Sequence, residues 1–195
     1  MKRILHAILY ALLAGCARLP MAVIYGLSDI TFVLLYYVVR YRRKVVDDNL
    51  KSSFPEKTDK ERRQIRRKFY RNFTDYIFET IKLLHISDKE MERRFTFGNT
   101  AVIDDFVSAG RSVAVYFSHC GNWEWSPSVT LHTKAKPDRD AIFAQVYRPL
   151  RDKWTDALML KLRSRFHSHS FPKTTVFRDI IRACRAEGCL RSSDL

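Results

Sequence analysis

The first forty residues of the chain are almost uniformly apolar. Between residues 4 and 39 the only fully charged side chains are Arg18 and Asp29, and Pro20 divides the stretch into two helical pieces. The first piece is too short to cross a bilayer, which takes about 20 apolar residues. The second carries Asp29 in its middle, where a carboxylate costs a few kcal/mol or more. The pattern predicts two membrane-associated helices.

Three arrangements of this leader are open from the sequence. One is a single span, another is a kinked helical pair lying partly in the interface with Arg18 snorkelling, and the third is a pair of buried helices. A cleaved signal peptide is not expected, because a second apolar segment follows where polar sequence should begin. Aromatic side chains, which collect at membrane interfaces, and basic side chains, which collect at cytoplasmic headgroups, lie at the end of the leader and just after it. They are Tyr36, Tyr37, Tyr41, Arg40, Arg42, Arg43 and Lys44.

A long amphipathic helix is predicted next. Thr58 and Glu61 have the spacing of a capping box, and apolar residues recur after them at helical intervals. The opposite face carries a basic stripe, for which a solvated surface, anionic headgroups and an acidic carrier protein are all open. The apolar positions are Ile65, Phe69, Phe73, Tyr76, Ile77, Ile81 and Leu84. The basic stripe consists of Arg62, Arg63, Arg66, Arg67 and Arg71.

The remaining pattern alternates between helix and strand. Asn99 or Thr100 can cap a short helix that runs to Ser108 and is stopped by Gly110. Strands are then predicted over residues 112–117 and 141–146, and helices over residues 123–131 and 150–166. This order predicts an α/β fold, in which amino-terminal membrane-associated helices precede a partial, mostly parallel sheet flanked by helices.

The amino-acid composition limits the classes of partner that the protein is expected to bind. The chain has 35 Lys and Arg against 21 Asp and Glu, a formal charge of +14, which calls for an anionic partner. Nucleic acid is not expected, because no helix-turn-helix, zinc-finger or RNA-binding signature accompanies the charge. The four cysteines form no CxxC pair and are interpreted as free thiols in a reducing compartment. These are Cys16, Cys120, Cys184 and Cys189.

Candidate chemistry is concentrated after the first predicted strand. His119 lies in the turn that leaves the strand, and Glu124 lies five positions later on the first turn of the next helix. In open α/β sheets, reactive groups gather at the carboxyl ends of strands. A carboxylate that accepts the Nδ1 proton of the imidazole leaves Nε2 free as a general base. The pair predicts activation of a substrate hydroxyl, against the alternative of a surface histidine beside a helix-start glutamate.

Other candidates carry less weight. Cys120 beside His119 suggests a thiol nucleophile, but no separate His/Asn pair accompanies it. His167 and His169 lack the carboxylate or thiolate company of a metal site. Trp123 and Trp125 are interpreted as core anchors or as walls of an acyl pocket. No metal site is therefore predicted.

The segment His119-Cys120-Gly121-Asn122-Trp123-Glu124 resembles the His-x4-Asp/Glu motif of the lipid A biosynthesis acyltransferases, the lauroyl and myristoyl transferases of Gram-negative bacteria. Further landmarks agree in order and spacing, and the resemblance covers nearly the whole chain. The landmarks are Arg42-Arg43, Asn49-Leu50, Phe54-Pro55, Tyr147-Arg148-Pro149, Asp156 and Leu162-Arg163-Ser164-Arg165-Phe166.

The resemblance implies transfer of a fatty acyl group from acyl carrier protein to a hydroxyl of a phosphorylated lipid A precursor, at the cytoplasmic face of the inner membrane and without a cofactor. It makes His119 the general base, Glu124 the residue that orients it, and Arg163 the functional arginine. Arg148 is a weaker candidate for substrate binding, and Asn122 is a candidate oxyanion donor. It also implies a glycerolipid-acyltransferase-like fold.

The resemblance also sets the expected domains and the alternatives. Residues 1–45 are expected to be the membrane anchor, and residues 46–195 an acyltransferase domain that is incomplete at its carboxyl end. Family members continue further, whereas residues 189–195 are polar and do not read as the next strand. The alternatives are an acyltransferase for another acceptor, such as a lysophospholipid or glycolipid, and an inactive membrane-binding fragment.

Overall fold

The computed structural model describes residues 2–186. The chain divides into two compact units, Met1–His85 and Ile86–Leu195. By packing, the two helices that follow residue 42 belong with the amino-terminal pair, whereas the functional boundary at residue 45 stays a prediction. The helices of the first unit are α1 (Lys2–Arg18), α2 (Met21–Val33, continued by a π-helical turn over Leu34–Val38), α3 (Arg43–Ser53) and α4 (Asp59–Lys82). Those of the second unit are α5 (Asp88–Arg94), α6 (Ala101–Ser108), α7 (Lys153–Arg163) and α8 (Val176–Ala186), together with a 3₁₀ helix over Trp123–Leu131. The strands described are β1 (Ala144–Tyr147) and β2 (His169–Pro172).

The capping box that the sequence predicts at the start of α4 is confirmed. The backbone N–H of Glu61 donates to Thr58 Oγ1 at 3.3 Å, and the backbone N–H of Thr58 donates to Glu61 Oε2 at 2.8 Å. Two backbone donors that the helix itself cannot satisfy are therefore paired reciprocally. The box fixes where the 24-residue helix begins.

The basic stripe of α4 is only partly solvated. Arg66 is 5% exposed, and its guanidinium donates to both carboxylate oxygens of Asp47 on α3, at 2.5 and 2.7 Å. The same group lies over the ring of Tyr36, 5.6 Å from the centroid. Helical periodicity locates the face that Arg66 occupies, but it cannot reveal that a carboxylate from another helix lies opposite. Arg63 and Arg67 remain exposed, as a solvated stripe would be.

Helices α2 and α4 pack antiparallel through a polar seam. Side-chain hydrogen bonds cross it, and the order of their residues along α2 is the reverse of the order along α4. The seam consists of Tyr25–Glu79 (2.8 Å), Ser28–Asp75 (2.6 Å) and Asp29–Arg71 (2.7 Å). The aromatic cluster of Phe32, Tyr36 and Tyr70 continues the packing beyond Asp29. Asp29, the carboxylate in the middle of the second apolar piece, is thus the partner of an arginine on α4.

Lys82 ties the end of α1 to the end of α4. Its side chain is 5% exposed, and its ammonium group donates to the carbonyl oxygens of Ala17 at 3.1 Å and Leu19 at 2.8 Å. The last carbonyl groups of a helix have no partner inside the helix, and a cation there is also favoured by the helix dipole. Lys82 therefore caps α1 at the break that Pro20 makes.

We expect Lys82→Met to loosen this junction. One buried and one partly buried carbonyl group would lose their donor, at a cost of about 1–3 kcal/mol, so local opening should become roughly tenfold more frequent. Limited trypsin digestion measures this opening directly, because a more frequently open junction is cleaved faster after Arg18. Lys60→Met, an exposed position on the same helix, is the matched control. Equal cleavage rates in the two variants would refute the capping role.

One helical stretch, Met21–Val38, is long and apolar enough to cross a membrane, judged by length and composition alone. Its side chains are only partly covered, since about a quarter of the stretch is buried by the rest of the chain. The apolar side chains left exposed on α2 lie on the face opposite α4. They are Val23, Ile30, Val33, Leu34, Tyr37 and Val38.

In the second unit, the predicted stop at Gly110 is confirmed, whereas the strand predicted next is wrong. Gly110 has a φ of +68°, and its N–H and that of Arg111 bond back to the carbonyl groups of Val107 and Phe106, both at 2.9 Å. Residues 112–117 pair with no strand within the described chain, and Tyr116 is 94% exposed. A β-branched run marks a surface that can pack in a sheet, and without a neighbouring strand it forms none.

The second predicted strand forms, slightly shifted, as β1. It pairs with β2 in parallel, from Ala144 opposite His169 to Tyr147 opposite Pro172. Helix α7 connects the two strands and is capped by Asp152, whose side chain accepts from the N–H of Thr155 at 2.8 Å. The α/β class is therefore confirmed, with a parallel sheet of two strands among the described residues. The predicted polar tail over residues 189–195 lies outside the described residues.

Candidate active site

The motif that begins at His119 forms an exposed turn followed by a buried 3₁₀ helix. Gly121 has a φ of +60°, a conformation that side chains disfavour, and the N–H of Cys120 donates to the carbonyl of Ser118 at 2.8 Å. The helix starts at Trp123, and the N–H of Trp125 donates to the Asn122 carbonyl at 3.1 Å. The predicted helix after the motif is confirmed, with Glu124 in its first turn.

We expect Gly121→Ala to lower activity by displacing this turn. A Cβ at a positive φ costs about 1–2 kcal/mol, although nothing lies within 4 Å of the position that it would take. Backbone strain is therefore the only penalty. A rate assay on Gly121→Ala and on Gly121→Asn, which tolerates this conformation better, should rank the alanine variant lower. Gly98→Ala, at a glycine without positive φ, is the control, and equal rates in all three variants would contradict the expectation.

Glu124 and Arg163 form a buried ion pair. Glu124 is 2% exposed, and Arg163 donates to both of its carboxylate oxygens, through Nε at 2.8 Å and through Nη2 at 2.6 Å. Such a two-pronged contact is the strongest geometry for this pair of groups. It joins the 3₁₀ helix to the last turn of α7, 39 residues further along the chain. Removal of either partner would leave the other charge buried and unpaired.

Trp123 links this ion pair to His119. The imidazole of His119 lies against the Trp123 ring, with centroids 4.8 Å apart, and the guanidinium of Arg163 lies 5.4 Å from the centroid of the same ring. The three residues expected to be catalytic are therefore brought together around one indole. Among residues 2–186 no hydrogen bond joins His119 to Glu124, whose observed partner is Arg163. The orienting role of Glu124 toward His119 stays a prediction.

The contacts behind the ion pair explain its position. Leu162 and Phe166 are buried on either side of Arg163, at 4% and 1% exposure. The hydroxyl of Thr130, on the 3₁₀ helix, donates to the Phe166 carbonyl at 2.7 Å. The end of α7 and the 3₁₀ helix are thus held together by packing and by a hydrogen bond independent of the ion pair. Trp125, 5% exposed on the same helix, is a core anchor.

The two predicted substrate-binding residues lie on separate loops of this unit. Asn122 is half-buried directly before Trp123, and Arg148 is exposed directly after β1. Tyr147 at the end of β1 was not singled out by itself from the sequence. Its pKa is raised from the ordinary value by burial and by the Asp156 carboxylate, while Arg163 acts in the opposite direction. The Tyr147-Arg148-Pro149 landmark was the signal available for Tyr147 from the sequence.

The residues considered as a thiol nucleophile or as metal ligands lie in other environments. Cys120 is exposed, and both it and Cys16 are free thiols. His169 Nε2 lies 2.6 Å from a carboxylate oxygen of Asp138. Within the part of the chain that the structure describes, no group of three or more His, Cys, Asp or Glu side chains could hold a metal ion. Cys184 and Cys189 contribute no described side chain.

Two members of the trio around Trp123 were predicted from the His-x4-Glu motif and the third, Arg163, from the family resemblance, which comparison with known proteins tests. No curated protein and no solved structure matches the chain. The family model described as bacterial lipid A biosynthesis acyltransferase matches residues 1–190, nearly the entire length. The resemblance inferred from the motif and its landmarks is therefore confirmed, and so is the activity class of acyl transfer. The chain belongs to the bacterial lipid A biosynthesis acyltransferase family.

Proposed function

We propose that this acyltransferase moves a fatty acyl group from an acyl carrier protein thioester to a hydroxyl of a phosphorylated lipid A precursor, at the cytoplasmic face of the inner membrane. The observation that most supports this catalytic centre is the Glu124–Arg163 ion pair. It lies beside the indole ring of Trp123, which also contacts the imidazole of His119. A base, a carboxylate and a guanidinium within one cluster suit transfer between an alcohol and a thioester.

The step needs one proton acceptor and no covalent enzyme intermediate. A ring nitrogen of His119 takes the proton of the acceptor hydroxyl as its oxygen attacks the thioester carbonyl carbon. The carbon–sulfur bond then breaks, the ester bond remains, and the departing thiolate receives the proton from the imidazolium. His119 ends in its starting state, so the cycle is balanced. Its place on an exposed turn gives an incoming hydroxyl access to the ring.

Glu124 is proposed to orient His119 while it holds Arg163. A carboxylate offers about four acceptor positions, and the two hydrogen bonds from Arg163 use two of them. The N–H of the exposed His119 ring is proposed to take one of the remaining acceptor positions when substrate binds. Apo enzymes often show catalytic hydrogen bonds that are longer or absent and that tighten with substrate.

Arg163 is proposed to stabilise the negative charge that develops on the thioester carbonyl oxygen. Its two bonds to the buried Glu124 fix the guanidinium plane, so little reorganisation is needed at the moment of reaction. Arg148, exposed beyond β1, is proposed to bind a phosphate of the acceptor, and Asn122 to contribute a polar contact to the oxyanion. The formal charge of +14 supports an acidic carrier protein and a phosphorylated lipid as partners.

An acyl-transfer assay with two acceptors tests the proposal. The full chain in detergent is given acyl carrier protein thioester with either a phosphorylated lipid A precursor or a lysophospholipid, and products are weighed by mass spectrometry. Acylation of the precursor supports the proposal. Acylation of the lysophospholipid alone selects the second acceptor class, and membrane binding without any product would mean an inactive membrane-binding chain.

A further inference from the structure

The packing of α4 along α2 limits how the apolar leader can be placed in a membrane. Contacts of α4 run from Arg66 beside Tyr36, in the continuation of α2, to Lys82 beside Leu19, two residues before α2 begins. The distance covered is about 25 Å at 1.5 Å per residue, close to the thickness of the hydrocarbon core. If α2 crossed the bilayer in this packing, α4 would have to cross beside it.

Helix α4 is unsuited to that position. Seven of the 17 residues from 66 to 82 are charged. Asp29, the ninth of the 18 residues of the candidate span, pairs with Arg71, and both side chains are more than half exposed, at 54% and 57%. In a spanning arrangement this exposed ion pair would face acyl chains at the middle of the bilayer, where charged side chains are rare and costly. Partners for the charges do not change this, because the pair is open on its outer side.

The exposed surface of the same unit has the composition of an interfacial face. On α1, apolar residues at helical spacing are 40–67% exposed: Ile4, Leu5, Ile8, Leu9 and Leu12. On α2, the exposed apolar residues lie opposite α4: Val23, Ile30, Val33, Leu34, Tyr37 and Val38. We call these eleven side chains the apolar face. Exposed basic residues lie close to both ends of α2. Arg18 precedes the helix, and Arg40, Arg42 and Lys44 come after it.

We infer that the amino-terminal unit is monotopic: α1 and α2 lie in one leaflet of an anionic bilayer, with the apolar face among the acyl chains, and do not cross. The charges at both ends of α2 then meet headgroups of the same leaflet. The Asp29–Arg71 pair lies between the buried and the exposed faces of α2, at the height of the polar interface. The inference rests on the membrane location in the proposed function but not on catalysis.

Side-specific labelling tests the topology. In the full chain with its four cysteines changed to serine, Arg18→Cys and Lys44→Cys place single thiols before and after α2. Each variant is treated with a membrane-impermeant maleimide in everted membrane vesicles and in spheroplasts. We expect both thiols to react in everted vesicles and neither in spheroplasts, matching Lys60→Cys on α4 as the reference. Reaction of the two thiols from opposite sides would overturn the inference.

A second measurement tests the apolar face itself and does not depend on the cysteine variants. Ile30→Asp combined with Val33→Asp should lower the fraction of chain that sediments with phosphatidylglycerol-containing vesicles by roughly tenfold or more, because two apolar side chains would no longer be buried in lipid. Val102→Asp, at an exposed apolar position outside the amino-terminal unit, should leave sedimentation unchanged. Equal sedimentation of all variants would overturn the face, as would a full chain that stays in the supernatant. An inactive chain with this topology would refute only the proposed chemistry.

Discussion

His119→Gln should lower acyl transfer by roughly 10²–10⁴-fold while leaving the fold intact, because a general base contributes a factor of that order. Glutamine is close to histidine in size and keeps a polar end, but it cannot take a proton from a hydroxyl. His119 lies on an exposed turn, so its replacement removes little packing beyond the contact with Trp123. The loss should fall on kcat, since the proton moves only in the transition state.

The control for this result is His85→Gln, an exposed histidine that has no part in the proposed centre. Its rate should equal that of the parent chain, and circular dichroism should show the same helix content in both variants. Turnover by His119→Gln at more than a tenth of the parent rate would mean that another group, or water, takes the proton.

Arg163→Ala should destabilise the second unit by about 3–5 kcal/mol, the range observed when one partner of a buried ion pair is removed. The 2%-exposed Glu124 carboxylate would lose both of its hydrogen bonds from the guanidinium and remain buried. Arg163→Lys keeps the charge but not the planar two-pronged contact, so a smaller loss is expected. All three tryptophans lie at positions 123, 125 and 154, so their fluorescence during urea unfolding reports on this unit alone.

Arg139→Ala provides a matched surface control. Arg139 pairs with Asp140 in the same unit, but its side chain is 76% exposed, and exposed pairs contribute at most about 1 kcal/mol. If Arg163→Ala costs no more than Arg139→Ala, the Glu124–Arg163 pair is not the buried pair described here. Restored stability in Glu124→Leu combined with Arg163→Met would show that the cost comes from the unpaired charge, since apolar pairs often replace buried ion pairs without loss.

Local sequence signals predicted the parts of this fold that depend on local contacts. The capping box of Thr58 and Glu61, the stop at Gly110 and the helix after the motif each involve residues within a few positions of one another. The β1–α7 segment was found for the same reason. The β-branched run over residues 112–117 also gave a strong local signal, yet a strand needs a neighbour, and no local pattern supplies one.

Long-range pairing accounts for the features of the site that the sequence did not reveal. The motif located His119 and Glu124, and the family resemblance added Arg163, but neither predicted that Arg163 would take both carboxylate oxygens of Glu124 from 39 positions away. The burial of Arg66 against Asp47 was missed for the same reason, because helical periodicity describes one helix and not its neighbour. Partners of this kind are set by tertiary packing.

The most direct test of the central claim is the activity of the double variant Glu124→Leu, Arg163→Met. If the pair serves acyl transfer and is not mainly a device for stability, this chain should unfold at nearly the parent urea concentration and form no acylated precursor detectable by mass spectrometry. The cluster around Trp123 would then be the catalytic centre of this acyltransferase. A stably folded double variant that acylates the precursor at the parent rate would contradict the account, because the chemistry would then lie elsewhere in the chain.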